Sequence, residues 1–307
     1  MLCDDLVADH GLRQLYDGID KTFAKLAEAQ KFVLAREFVL AADGLVDNFA
    51  ELGKIAPYCR VPFPLTWIEW AANDRPHWDV NGPHGARPVD RSRHQRAPRR
   101  VGMLLEQEGK ASRWMTHLFW VLTEKPEDCF SEYNGSFAAI CFDADDAASN
   151  PLDPLHAGCH PCQGEFGREL FLSLAARMPH VAMRLGEYGI EDWGGEVRFM
   201  VATLGLLNTR NVAHHSPVDN SRVNSKRARS GKRPLFSHTL LKVRPSICVS
   251  GAQRGGESNG HRDVRLHFVR GHMKVRKTGL FWWSHHARGN IERGMVSKDY
   301  ELEGPRG

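Results

Sequence analysis

Apolar positions at helical spacing dominate the first sixty residues. Between Ile19 and Ile55, Leu26, Ala29, Phe32 and Val33 recur three to four apart, with Ala, Lys and Glu filling the gaps, so a helical N-terminal region is predicted over 1–60. Pro57, Pro62 and Pro64 end it. The pattern then changes. Leu65-Thr-Trp-Ile-Glu-Trp70 is rich in aromatic and β-branched residues and reads as a strand. A Pro- and Gly-containing loop follows from Asn73 to Arg100, with a basic run at Arg91, Arg93, Arg96, Arg99 and Arg100. Val101–Glu106, Trp114–Leu122 and Phe137–Phe142 supply three more strands. Their short connections imply an antiparallel sheet.

Asp143 to Gly164 is turn-rich and predicted irregular. Two helices are expected next, over Phe166–Arg177 and Gly195–Asn208, with Gly194-Gly195 as a hinge before the second. The stretch Val218–Pro234 reads as an excursion over the surface. Strands return at His238–Val243, Val264–Lys274, Leu280–Ser284 and Met295–Leu302, with Gly251–Gly260 as a flexible connection. The fold class is therefore α+β. Its parts are a helical region (1–60), a central antiparallel sheet with two helices (61–210), and a basic excursion with a strand-rich end (211–307). Those last strands either curl into a small barrel or extend the central sheet. No linker separates the parts, which favours one continuous architecture.

Composition narrows the setting. The chain has 307 residues, 42% of them hydrophobic, enough to bury a core. No stretch approaches the ~20 apolar residues of a membrane span, and the start, MLCDDLVADH, lacks the basic-then-apolar pattern of a secretory signal. The 7 cysteines are odd in number and scattered, unlike a disulfide framework. A cytoplasmic location with reduced thiols is expected, or a virion if the protein is structural. Net charge is +4, but unevenly spread. No acidic residue lies between Asp219 and Glu257, a stretch that carries Arg222, Lys226, Arg227, Arg229, Lys232, Arg233, Lys242, Arg244 and Arg254. Such a run fits either a polyanionic partner or a solvated loop.

Candidate chemistry falls in three places. Cys159-His160-Pro161-Cys162 offers thiolate and imidazole, but a structural zinc site needs four ligands, and only Cys129, Cys141 or His156 remain to complete one. Pro161 and Gly164 argue against a redox C-x-x-C helix. Asp143, Asp145 and Asp146 follow a strand, where carboxylates can hold a catalytic metal or simply make a polar turn. The C-terminal strands carry Arg270, His272 and Lys274 in alternation, then Trp282, Trp283, His286 and Arg288. Histidine with arginine binds phosphate, and a pair of imidazoles can cleave RNA without metal. A tryptophan face can stack a base. The bland reading is core tryptophans and hydrogen-bonded histidines. P-loop, G-x-G-x-x-G, G-x-S-x-G and H-E-x-x-H motifs are missing, and no cofactor is expected.

Three segments give the chain a resemblance to a family of uncharacterised phage and prophage proteins. They are Pro62–Trp70; Leu206–Arg210 with Val218-Asp219-Asn-Ser221-Arg222-Val-Asn224-Ser-Lys226-Arg227-Ala-Arg229-Ser-Gly231-Lys232-Arg233-Pro234; and Val269–His272 with Trp283, His286, Arg288-Gly289 and Lys298–Tyr300. The sequence departs from the pattern at Ala213–Ser216, and Asp143–Gly164 has no counterpart. The resemblance implies a phage origin and carries no catalytic residue across. Three functions stay open. One is nucleic-acid binding, DNA or RNA, through Arg222, Lys226, Arg227, Arg229, Lys232, Arg233, Arg270, His272 and Lys274. Another is a virion or host-factor-interacting protein. The last is a metal-independent ribonuclease built on His272, His286, Arg270 and Arg288.

Overall fold

The computed structural model describes residues 1–15, 18–46, 49–75, 78–79, 87–88, 98–122, 133–135, 138–150, 154–163, 176–177, 196–209, 212–243, 248–249, 265–269, 272–283, 286–288 and 290–296. The chain opens with helices α1 (Leu2–Ala8), α2 (His10–Leu15) and α3 (Ile19–Glu28). Strand β1 (Gln30–Leu34) follows, then α4 (Arg36–Val46) and α5 (Phe49–Ile55). The central strands are β2 (Leu65–Ala71), β3 (Pro98–Gln107), β4 (Arg113–Leu122), the short β5 (Tyr133–Gly135) and β6 (Ala138–Asp143). Next come α6 (Ala144–Ser149), α7 (Pro154–Gly158) and β7 (Cys159–Gln163). A helix over 196–207, α8, precedes β8 (Ala213–Val218), α9 (Ser221–Arg229) and β9 (His238–Val243).

These strands form one sheet in the order β8-β9-β1-β2-β3-β4-β6-β7, with β5 paired to β4. It takes strands from all three stretches of sequence distinguished above. The ladder from β2 to β7 is antiparallel, as short connections require. Strand β1 makes the sheet mixed, because it pairs in parallel with both β2 and β9. The expected continuous helix over Ile19–Ile55 is thus interrupted. The break has a local cause: Lys31 turns back, and its Nζ donates to the carbonyls of Ala27 (3.0 Å) and Ala29 (2.7 Å) at the end of α3. Those carbonyls have no partner within the helix. Phe32 and Leu34 are then buried on one face of the extended segment.

Helices cover both faces of the sheet. On one face α4, α5, α6 and α8 pack against Phe32, Ile68, Trp70, Met103, Leu105, Trp114 and Phe142. The Trp70 and Phe199 rings lie 4.9 Å apart there, within stacking range. On the other face α1, α2 and α3 bury Leu2, Leu6, Leu12, Phe23 and Leu26 against Trp67, Leu104, Phe119 and Val121. Gly102 makes this second layer possible. A Cβ there would lie 2.1 Å from Cζ2 of Trp67, so only glycine lets the indole cross the strand.

The segment expected to be irregular, Asp143–Gly164, instead holds α6, α7 and β7 through Gln163. Asp143 starts α6 by accepting from the Asp145 amide at 2.8 Å, a side-chain cap. The helix expected over Phe166–Arg177 lies outside the described residues apart from 176–177. The surface excursion proves to contain a regular helix, α9. At the C-terminal end, β10 (Cys248–Val249), β11 (Arg265–Val269), β14 (His286–Arg288) and β15 (Asn290–Val296) form a four-stranded sheet. Between them in sequence, β12 (His272–Arg276) and β13 (Gly279–Trp283) form a hairpin, whose Leu280 joins the main core. No closed barrel occurs among the described residues. No helix among them is long and apolar enough to cross a membrane.

Candidate functional site

The edge hairpin β8–β9 carries the site. Its register runs from Ala213↔Val243 to Val218↔His238, and α9 sits in the connection. Ser221–Arg229 lacks the apolar stripe that holds most helices to a protein, and none of its residues is buried. Polar groups do that work. Asp219 accepts from the amide (2.9 Å) and hydroxyl (2.7 Å) of Ser221 at the helix start. These hydrogen bonds hold the Asp219 carboxyl below its ordinary range. At the other end Gly231 adopts φ 64, its amide donates to Ala228, and the Lys232 amide donates to Arg227. That is a Schellman stop, which needs glycine at the left-handed position.

One face of α9 is clamped to the returning chain. Asn224 donates to the Leu235 carbonyl (2.8 Å) and accepts from the Leu235 amide (2.7 Å). Asn220 donates to Phe236 O at 2.7 Å, and Arg227 Nε donates to Arg233 O at 2.6 Å. The returning segment is tied to α1: Arg233 donates to Val7 O (3.1 Å), and the Phe236 amide donates to Asp4 (2.7 Å). Lys31 Nζ lies 4.1 Å from the centre of the Phe236 ring, a cation–π contact. Burial there lowers the Lys31 ammonium below the usual lysine range, against the opposing pull of Cys3 and Asp4.

The clamp divides the basic residues into two sets. Arg227 and Arg233 hold the fold. Arg222, Lys226, Arg229 and Lys232 are exposed and make no side-chain hydrogen bond or ion pair among the described residues. Positions 222, 226 and 229 follow the i, i+4, i+7 spacing of a single helix face. They span roughly 10 Å at about 1.5 Å per residue. Lys232 continues the run beyond the turn.

The other sequence candidates are scattered. His272 begins β12 opposite Trp283, whereas His286 lies in β14 opposite Val269, in a different sheet. Arg288 pairs in register with His267, and Arg270 lies outside the described residues. Lys274 is exposed on β12 opposite Phe281. Cys159, His160 and Cys162 fall on β7, opposite Phe142, Cys141 and Ala139. A strand alternates its faces, so positions 159 and 162 belong to opposite sides. His160 Nε2 lies 2.9 Å from an Asp146 oxygen. Asp145 pairs with Lys110, and Asp143 is spent on the helix cap. Among the described residues no group of three or more His, Cys, Asp or Glu is arranged to hold a metal.

Two buried polar networks were not anticipated from sequence. Glu69 is 0% exposed and accepts from Leu2 N (3.2 Å), Cys3 N (3.3 Å), Trp67 Nε1 (2.8 Å) and Arg100 Nη2 (2.6 Å). It anchors α1 on the sheet. Glu106 receives Lys25 Nζ at 2.6 Å and meets His117 Nε2 at 2.9 Å. Burial raises the Glu106 pKa, but the hydrogen bonds and charges of His117 and Lys25 outweigh it and hold the carboxyl below its ordinary range. The available sign was an acid inside an aromatic strand, Trp67-Ile68-Glu69-Trp70.

Fold and site together define an α+β protein bearing a polar-clamped, cation-faced helix at one sheet edge. The chain matches no family model, no curated protein and no solved structure.

Proposed function

We propose that this protein binds nucleic acid through the exposed face of α9. The observation that supports it is the row Arg222, Lys226, Arg229 and Lys232, whose side chains satisfy nothing within the described protein. Phosphates are the natural partners of such a row, because neutralising them releases condensed counterions. Arg227 and Arg233 are committed to holding the helix rigid, which spares the ordering cost that a flexible arm meets on binding. The resemblance to phage and prophage proteins supports a phage-encoded origin and a bacterial-cell setting.

The test is a titration of nuclease-treated protein with short DNA and RNA at two salt concentrations. Binding that weakens steeply with salt is expected. Undetectable binding at low salt overturns the reading. A stoichiometric protein complex that survives nuclease treatment then becomes the favoured alternative.

A further inference from the structure

Resting on that reading, we infer that the ligand of α9 is double-stranded DNA, entered through the major groove. The shape of α9 fits that groove. No residue of α9 is buried, and its clamp to Leu235 and Phe236 uses one side only. The opposite side, where Arg222, Ser225, Lys226 and Arg229 are exposed, is an open half-cylinder among the described residues. A helix with side chains is about 10–12 Å across, and the B-form major groove is about 12 Å wide. The corresponding groove of A-form RNA is too narrow to admit it.

The chemistry of the face points to a duplex as well. Proteins that hold single strands without sequence preference offer rings on which bases stack. The helix Ser221–Arg229 contains no aromatic residue, and neither does the turn as far as Leu235. The next ring, Phe236, is engaged by Lys31. The face therefore offers charge without a stacking platform, which matches the phosphate walls of a groove. Val223, 45% exposed, flanks the cations. An apolar side chain in the major groove meets the thymine methyl group.

Orientation follows from the caps. Asp219 places a carboxylate at the start of α9, tied to Ser221. That carboxylate excludes a phosphate from the helix end, so α9 contacts the duplex along its side.

The experiment is a competition against a labelled short DNA duplex, with the same-sequence single strand and duplex RNA as competitors. It is repeated with methyl green as a major-groove blocker and with Arg222→Ala/Arg229→Ala protein checked for native circular dichroism. We expect unlabelled duplex DNA to compete at least ~10-fold better than either rival. Methyl green is expected to displace the protein, and the double variant to lose most of the affinity. Equal or better competition by the single strand or duplex RNA overturns the inference and leaves nucleic-acid binding standing. So does duplex binding that methyl green does not displace. Binding that the double variant leaves unchanged overturns the α9 site itself, and the inference with it. No binding to any probe at low salt removes both.

Discussion

Asn224 fastens α9 to the returning chain. Its amide makes two hydrogen bonds to one residue, at 2.8 and 2.7 Å to Leu235 O and N. Alanine removes both. At about 0.5–1.5 kcal/mol each, the docking of α9 weakens by about 1–3 kcal/mol. That is roughly a 5- to 150-fold rise in the undocked population. Because α9 buries no residue, the main core does not share the loss. Limited trypsin digestion reads the effect, since Arg222, Lys226, Arg227 and Arg229 are all cleavage sites in the helix. When reclosing outpaces cleavage, the cutting rate follows the open population. Cutting within α9 should therefore accelerate by that factor in Asn224→Ala, with the midpoint of global unfolding unchanged. An unaltered cutting rate refutes the clamp. A global midpoint that falls with it refutes the claim that α9 is held separately from the core.

Two further perturbations probe the sheet behind it. Gly102→Ala puts a methyl 2.1 Å from the Trp67 ring and displaces the indole from Glu69, now at 2.8 Å. Overpacking of this kind costs about 1–3 kcal/mol, and a wild-type urea midpoint would contradict the packing described. Glu106 has a depressed folded pKa, so its stabilisation is present above the ordinary glutamate pKa and is lost as pH falls through the folded value. Glu106→Gln should flatten the acid side of the stability–pH profile, and superimposable profiles would show that the Lys25–Glu106–His117 cluster contributes no linkage.

Much of the fold was legible in the pattern of apolar residues. The expected strands near Leu65–Trp70, Val101–Glu106, Trp114–Leu122 and His238–Val243, and the helix near Gly195–Asn208, fall on observed elements. Each is long enough to show its own periodicity. Strand β1 was hidden because five residues between two helices can satisfy a helical spacing, and its partners Thr66–Glu69 and Thr239–Leu241 are distant in sequence. The helix α9 was hidden for the opposite reason. It has no apolar face, so its signals are caps and amide clamps rather than periodicity. The basic composition marked the right segment for the site. It could not separate Arg227 and Arg233, which bond to the backbone, from Arg222, Lys226, Arg229 and Lys232, which do not. That distinction depends on Val7, Asn224 and Leu235 coming together, and only the fold supplies it.

The salt dependence of binding reads the contribution of those four cations. The logarithm of the binding constant falls linearly with the logarithm of salt, by about 0.9 for each phosphate neutralised on duplex DNA. Arg222→Ala/Lys226→Ala/Arg229→Ala removes three cations from one face. The slope should be shallower than wild type by about 2–3. Parallel slopes for the two proteins would contradict that contribution and place any nucleic-acid contact elsewhere on the molecule.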